Sequence, residues 1–123
     1  MRRAVLLPLL VALAGAACGD GDDGARVSSE PVPDDPDVVI VAEDMAFAPD
    51  EVEVPAGEPV TIVIDNRDEG VNHNIHVEGS PEPDRTPLEL GPSQQALTVT
   101  LPAGTYGFVC DIHPGMTGTV VAR

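Results

Sequence analysis

From Val52 onward the apolar residues of this chain fall at every second position, and proline or glycine closes nearly every such run. Val52 and Val54 alternate with Glu51 and Glu53, and Val60, Ile62 and Ile64 share one face while Thr61, Val63 and Asp65 share the other. Leu97, Val99 and Leu101 repeat the pattern, Tyr106, Phe108 and Cys110 begin it again, and Met116, Gly118, Val120 and Ala122 fall on one face of the last run. A period of two is the mark of a strand with one buried side. Pro55-Ala56-Gly57 and Pro102-Ala103-Gly104 are turns between such strands. Thirteen prolines and twelve glycines leave no room for long helices. Phe47, Tyr106 and Phe108 are the only aromatic residues, so Val, Ile and Leu must fill the core, and the β-branched majority of these favours strands. The predicted fold class is all-β: a two-sheet sandwich of roughly seven short strands.

The N-terminal part does not belong to that pattern. Residues 1–17 carry Arg2 and Arg3, then an apolar run too short to span a bilayer, then Ala14-Gly15-Ala16-Ala17. This is the form of a secretory signal peptide. Cys18 follows the small residues directly and resembles the lipid-attachment cysteine of a bacterial lipobox, with ordinary cleavage near Ala16 or Ala17 as the alternative. Residues 18–37 are acidic and rich in Gly, Pro and Ser, a composition that predicts a disordered linker. Extended, it would reach on the order of 60 Å. The folded domain is then residues 38–123, small enough for one core. Cys18 and Cys110 are the only cysteines, and a disulfide between them is disfavoured: a lipidated Cys18 leaves Cys110 without an intramolecular partner.

Formal charge is -15, and removing the leader leaves Arg26, Arg67, Arg85 and Arg123 against 21 acidic residues. Such a surface excludes nucleic acid as a partner and is repelled by anionic lipid head groups, so contact with a membrane would run through the N-terminal lipid only. A protein partner would present a basic or at least non-acidic face, while the alternative reading is that the acidity only keeps a small domain soluble.

Chemistry concentrates near the C-terminus. The string Tyr106-Gly107-Phe108-Val109-Cys110-Asp111-Ile112-His113-Pro114-Gly115-Met116 delivers a thiol at the end of a core-facing row, an imidazole three residues on and a thioether three further. These are soft and borderline ligands, which suit copper better than calcium or magnesium, and better than structural zinc. A second cluster lies at Val71-Asn72-His73-Asn74-Ile75-His76-Val77. Read as one extended strand, it turns His73, Ile75 and Val77 to the core and Asn74, His76 and Glu78 to solvent. His73 is thereby a fourth candidate ligand and His76 an exposed strand residue. Between the two clusters, residues 79–93 form a proline-punctuated surface excursion that Leu88 and Leu90 would pin to the body.

These pieces resemble the cupredoxins, small type 1 (blue) copper proteins of the plastocyanin and amicyanin kind. Phe47-Ala48-Pro49, residues 60–66, the His73-Asn74 run and residues 103–116 carry the resemblance, and the Cys-x2-His-x2-Met spacing is nearer to amicyanin than to plastocyanin. It implies a seven- to eight-stranded Greek-key β-sandwich over residues 38–123. His73, Cys110 and His113 would be equatorial ligands of one Cu(I)/Cu(II) ion and Met116 the axial one. Asn74 would tie the two ligand loops together. Asp111 departs from the pattern, since relatives often carry a hydroxyl residue there, and a negative charge beside the thiolate would favour Cu(II). The function implied is one-electron transport by a monomer held on the outer face of the cytoplasmic membrane and exchanging electrons with redox proteins. The alternative is copper delivery or storage. No catalytic dyad, phosphate loop or open metal position with a general base is visible, so no enzymatic activity is expected.

Overall fold

The structure is a computed structural model and describes Val27, Ser28 and residues 30–123. The leader, Cys18 and the first part of the linker lie outside the described residues. Among the described residues no helix is long and apolar enough to cross a membrane.

Among the described residues ten strands form: β1 (Val38–Glu43), β2 (Ala46–Ala48), β3 (Glu51–Val54), β4 (Pro59–Asn66), β5 (Asn72–His73), β6 (His76–Val77), β7 (Glu89–Leu90), β8 (Ser93–Thr100), β9 (Gly104–Cys110) and β10 (His113–Ala122). Eight of them make two four-stranded sheets, ordered β2-β1-β4-β8 and β3-β10-β9-β6, and β5 pairs with β7 in a two-stranded ribbon. The all-β sandwich read from the alternation is therefore present. β1 runs parallel to β4 and β10 parallel to β3, while the other ladders are antiparallel.

The alternating residues do what their period demands. Val60, Ile62 and Ile64 of β4 meet Leu97 and Val99 of β8 on one side of the core, and Phe108, Cys110, Met116, Val120 and Ala122 supply the other. Phe47 and Phe108 meet edge to face at the centre, ring centroids 5.2 Å apart. Gly118 is what lets that ring lie flat against β10, because a Cβ there would stand 2.1 Å from Phe108 Cζ. β10 is an interior strand, bonded on both edges. Its pairing with β9 shifts between His113 and Thr117, and Met116 within that irregularity is buried.

The Met45-Ala46-Phe47-Ala48-Pro49 stretch contributes the short strand β2. Asp44 and Met45 both take positive φ, 54° and 59°, at the tip of the β1–β2 hairpin. Positive φ at both central residues is the turn whose twist suits a two-residue hairpin. The Asp68 carboxylate accepts both tip N–H groups, at 2.8 and 3.2 Å, and holds this conformation without a glycine.

Three expectations are corrected. Residues 71–77 are not one strand: β5 and β6 are separate, and Asn74, expected toward solvent, is buried. Leu88 and Leu90 do not pin the 79–93 excursion, being 43 % and 54 % exposed. Thr86 pins it instead, fully buried, its N–H donating to Ile75 O at 3.0 Å and its Oγ1 accepting the Ile75 N–H at 3.1 Å. Hydrogen bonds to an interrupted strand, rather than apolar burial, fasten this segment. Nor is the described part of the linker free of the domain. The Ser28 N–H donates to Arg85 O at 2.7 Å, and the Glu30 carboxylate accepts from Thr98 Oγ1 and the Thr98 N–H along the outer edge of β8. Such contacts need a carboxylate and a sheet edge, not hydrophobic residues.

Candidate metal centre

The two ligand-bearing stretches meet at one end of the sandwich. β9 ends with Cys110 facing inward, 2 % exposed, and the tight connection to β10 brings His113 directly opposite it in the ladder. β5 ends with His73, 1 % exposed, because its ribbon with β7 turns that side chain into the sandwich. His73 Nδ1 lies 3.1 Å from His113 Nδ1 and 3.9 Å from Cys110 Sγ, and Cys110 Sγ lies 3.4 Å from His113 Nδ1. Met116 is 1 % exposed and, with Met45, His113, Pro114 and Gly115, lines a shallow pocket at this end. The structure thus brings together all four residues singled out in the sequence.

The donor triangle fits a small, borderline-soft ion. Bonds of about 2.0 Å to nitrogen and about 2.3 Å to sulfur in a trigonal plane separate the ligand atoms by roughly 3.5–4 Å. The three observed separations cluster close to that range. Hard cations are excluded by the chemistry of the set, since calcium and magnesium want oxygen and no carboxylate belongs to the cluster among the described residues.

The His73 ring is oriented from outside the cluster. His73 Nε2 donates to Asp68 Oδ2 at 2.7 Å, which fixes the tautomer and leaves the Nδ1 lone pair turned to the cluster. Asp68 was not among the sequence candidates, although it stands only five positions before His73 in the polar turn after β4. Its hydrogen bond from His73 holds its carboxyl below the ordinary carboxylate range, helped by the Asp44 and Met45 N–H groups and opposed by partial burial. One carboxylate thus joins the β1–β2 hairpin tip to the buried imidazole.

Asn74 occupies the place between the loops. Its Nδ2 donates to Thr86 O at 3.0 Å and Asp111 Oδ2 at 2.8 Å, and its Oδ1 accepts the Asp111 N–H at 2.9 Å. The residue after His73 is therefore bonded twice to the residue after Cys110. Asp111 meets further partners: His76 Nδ1 at 2.9 Å from Oδ1, and Arg85 Nη1 at 3.3 Å from Oδ2. Partial burial pushes the Asp111 carboxyl up, but the bonds from Asn74 and His76 and the Arg85 charge outweigh it and hold it below the ordinary range. His76, expected as an exposed strand residue, has a side chain only 17 % exposed and belongs to this network. Its Nε2 lies between Arg85 Nη2 at 3.2 Å and Asp84 Oδ2 at 3.3 Å.

Comparisons with known proteins agree with this fold. Auracyanin A, a "blue" copper protein from the green thermophilic photosynthetic bacterium Chloroflexus aurantiacus, is 27% identical with a TM-score of 0.58, covering 69% of this chain and 96% of that one. Amicyanin from Paracoccus versutus is 33% identical with a TM-score of 0.55, covering 79% of this chain and 90% of that one. Dithionite-reduced auracyanin from Roseiflexus castenholzii, 23% identical with a TM-score of 0.60 over 70% of this chain and 95% of that one, shares the fold. A family model for the cupredoxin-like domain matches residues 6–122, and the chain belongs to the cupredoxin-like family.

Proposed function

We propose that this chain is an extracytoplasmic one-electron carrier that holds a single copper ion on His73, Cys110, His113 and Met116. The observation that carries the reading is the convergence of His73, Cys110 and His113, whose donor atoms all lie within 4.8 Å of one another, with Met116 buried beside them. Two imidazoles, a thiolate and a weak thioether are the ligands of blue-copper electron-transfer sites. When bound, copper supplies the Cu(I)/Cu(II) couple. The chain's own residues do the rest: Asp68 orients His73, Asn74 locks the two ligand segments together, and burial of Cys110 and Met116 keeps water from the sulfur atoms.

His113 is the half-buried member of the set and gives the electron its way out. Around it the surface is apolar, with Met45 47 % and Ile112 48 % exposed, next to Pro114 and Gly115. Glu43 and Asp44 stand exposed at the adjoining hairpin. A redox partner with an apolar patch rimmed by basic or neutral residues fits this face, and a monomer is sufficient for the role. Among the described residues Met45 and Met116 are the only methionines, so no exposed thioether cluster favours copper delivery or storage.

The leader over residues 1–17 and a lipid on Cys18 would place the domain on the outer face of the membrane. Contacts made by Ser28 and Glu30 hold the chain against the domain from there onward. The test is an absorption spectrum of the full-length protein after adding Cu(II). An intense visible thiolate-to-copper band, lost in Cys110→Ser, is expected. A colourless, redox-silent copper complex refutes the carrier reading.

A further inference from the structure

Arg85 stands where three parts of the chain meet. Its carbonyl accepts the Ser28 N–H, and its backbone bridges Val27 in parallel and His76 in antiparallel fashion. Its guanidinium lies 3.0 Å from Asp84 Oδ1, 3.3 Å from Asp111 Oδ2 and 3.2 Å from His76 Nε2. The other arginines among the described residues pair elsewhere: Arg67 with Asp65 and Arg123 with Glu53, with side chains 53% and 69% exposed. Arg85 is 25% exposed, so solvent screens its charge less.

Asp111 is the reason this placement matters. It follows Cys110 directly, and its N–H and carboxylate are both held by Asn74, the residue after His73. Arg85 therefore grips, from the outside, the carboxylate that joins the two ligand segments. Nothing in the ligand set requires such a cation. The segment that carries it is fastened by Thr86 on one side and by Ser28 on the other, and Glu30 anchors that second support to the edge of β8.

We propose that Arg85 is a positioning residue for the ligand loop: it fixes the Asp111 carboxylate against Asn74 and His76, offsets its charge beside the Cys110 thiolate, and is braced in turn by residues 27–30. The electrochemical part rests on the copper reading above; the positioning part does not. A guanidinium does both jobs because its planar fork reaches Asp111 and His76 from one fixed position. Without it, both Asp111, next to the thiolate, and Asp84 lose their cation, and uncompensated negative charge there favours Cu(II) over Cu(I). The loop also loses its outer hold, and the Asp111 N–H bond to Asn74 opens more often.

The experiment uses the full-length protein with Arg85→Gln, Arg85→Lys, Asp111→Asn, the Arg85→Gln/Asp111→Asn pair and Ser28→Pro. In metal-free protein, hydrogen exchange at the Asp111 amide is expected to quicken on the order of tenfold in Arg85→Gln. In copper-loaded protein at a fixed poise, the oxidised-to-reduced ratio is expected to rise about three- to tenfold in Arg85→Gln. In the pair it is expected to stay closer to the parent than in Arg85→Gln, since the Asp111 charge next to the thiolate leaves with the cation and only Asp84, further along the chain, keeps its own. Arg85→Lys keeps the charge and loses the fork, so its ratio is expected to stay near the parent while exchange quickens. Ser28→Pro removes the N–H donated to Arg85 and is expected to quicken exchange less than Arg85→Gln does.

Unchanged exchange and an unchanged ratio in folded Arg85→Gln overturn the proposal. So does a shift of the same size when Asp111 is already Asn, because the cation then acts on something else. Unchanged exchange in Ser28→Pro overturns the brace. If no thiolate-to-copper band develops in the parent, the copper reading fails, and exchange at Asp111 still decides whether Arg85 positions the loop.

Discussion

Asn74→Ala is the perturbation that asks most of the site, because one buried amide makes three hydrogen bonds across two loops. The magnitude follows from what each broken bond leaves behind. The Thr86 carbonyl belongs to a residue with no exposed surface, so losing its bond to Asn74 costs about 1–3 kcal/mol as an unsatisfied buried acceptor. Asp111 is exposed, and its N–H and carboxylate can turn to water, so each of those bonds costs nearer to 1 kcal/mol. The sum is about 3–5 kcal/mol, a large share of the roughly 5–15 kcal/mol that holds a small domain together. For a domain of this size the melting temperature would fall by on the order of 15–30 °C. The assay is urea unfolding of metal-free parent and variant, with a copper titration alongside, in which affinity is expected to fall about 10- to 100-fold. A stability loss below about 1 kcal/mol together with unchanged copper affinity refutes the argument, since the two ligand segments would then hold their places separately.

Two further outcomes follow from the same contacts. Gly118→Ala drives a Cβ to 2.1 Å from Phe108 Cζ, and that ring is fully buried against Phe47, so the variant is expected to lose at least about 1–3 kcal/mol, read from its urea midpoint. Asp68 has its carboxyl held below the ordinary value of 3.8, chiefly by His73. Its folded-state pKa is depressed, so its contribution is present above that ordinary value and is lost as pH falls through the folded one. Metal-free Asp68→Asn is therefore expected to be less stable than the parent at neutral pH and to lose stability less steeply in acid; parallel acid limbs would contradict this.

The parts of the molecule legible in the sequence are those governed by alternation. Tyr106, Phe108 and Cys110 announced a core-facing row, and the thiol arrives at the end of β9 with its side chain buried, as that row requires. His73 was legible for the same reason, since it shares a side with Ile75 and Val77, all three buried. Asn74 obeyed a different rule. The strand breaks beside it, so its side chain follows hydrogen-bond partners 12 and 37 residues away rather than a two-residue period. Asp68, Thr86 and Arg85 were missed because polar residues in loops carry no periodic signal, and their burial depends on partners that only the tertiary fold supplies. Leu88 and Leu90 misled for the converse reason: hydrophobicity alone does not bury a residue when hydrogen bonds set the course of the loop. The contact of Glu30 carried no signal in the sequence, because a carboxylate needs only an exposed strand edge to lie against.

β10, the interior strand bonded to both β3 and β9, carries His113 and Met116. The strand that closes the middle of the second sheet is thus the one that brings two of the four ligands, so sheet and ligand set come apart together. Whenever β10 leaves its place, Cys110 loses the residue that faces it in the ladder, and its thiol stands unsheltered.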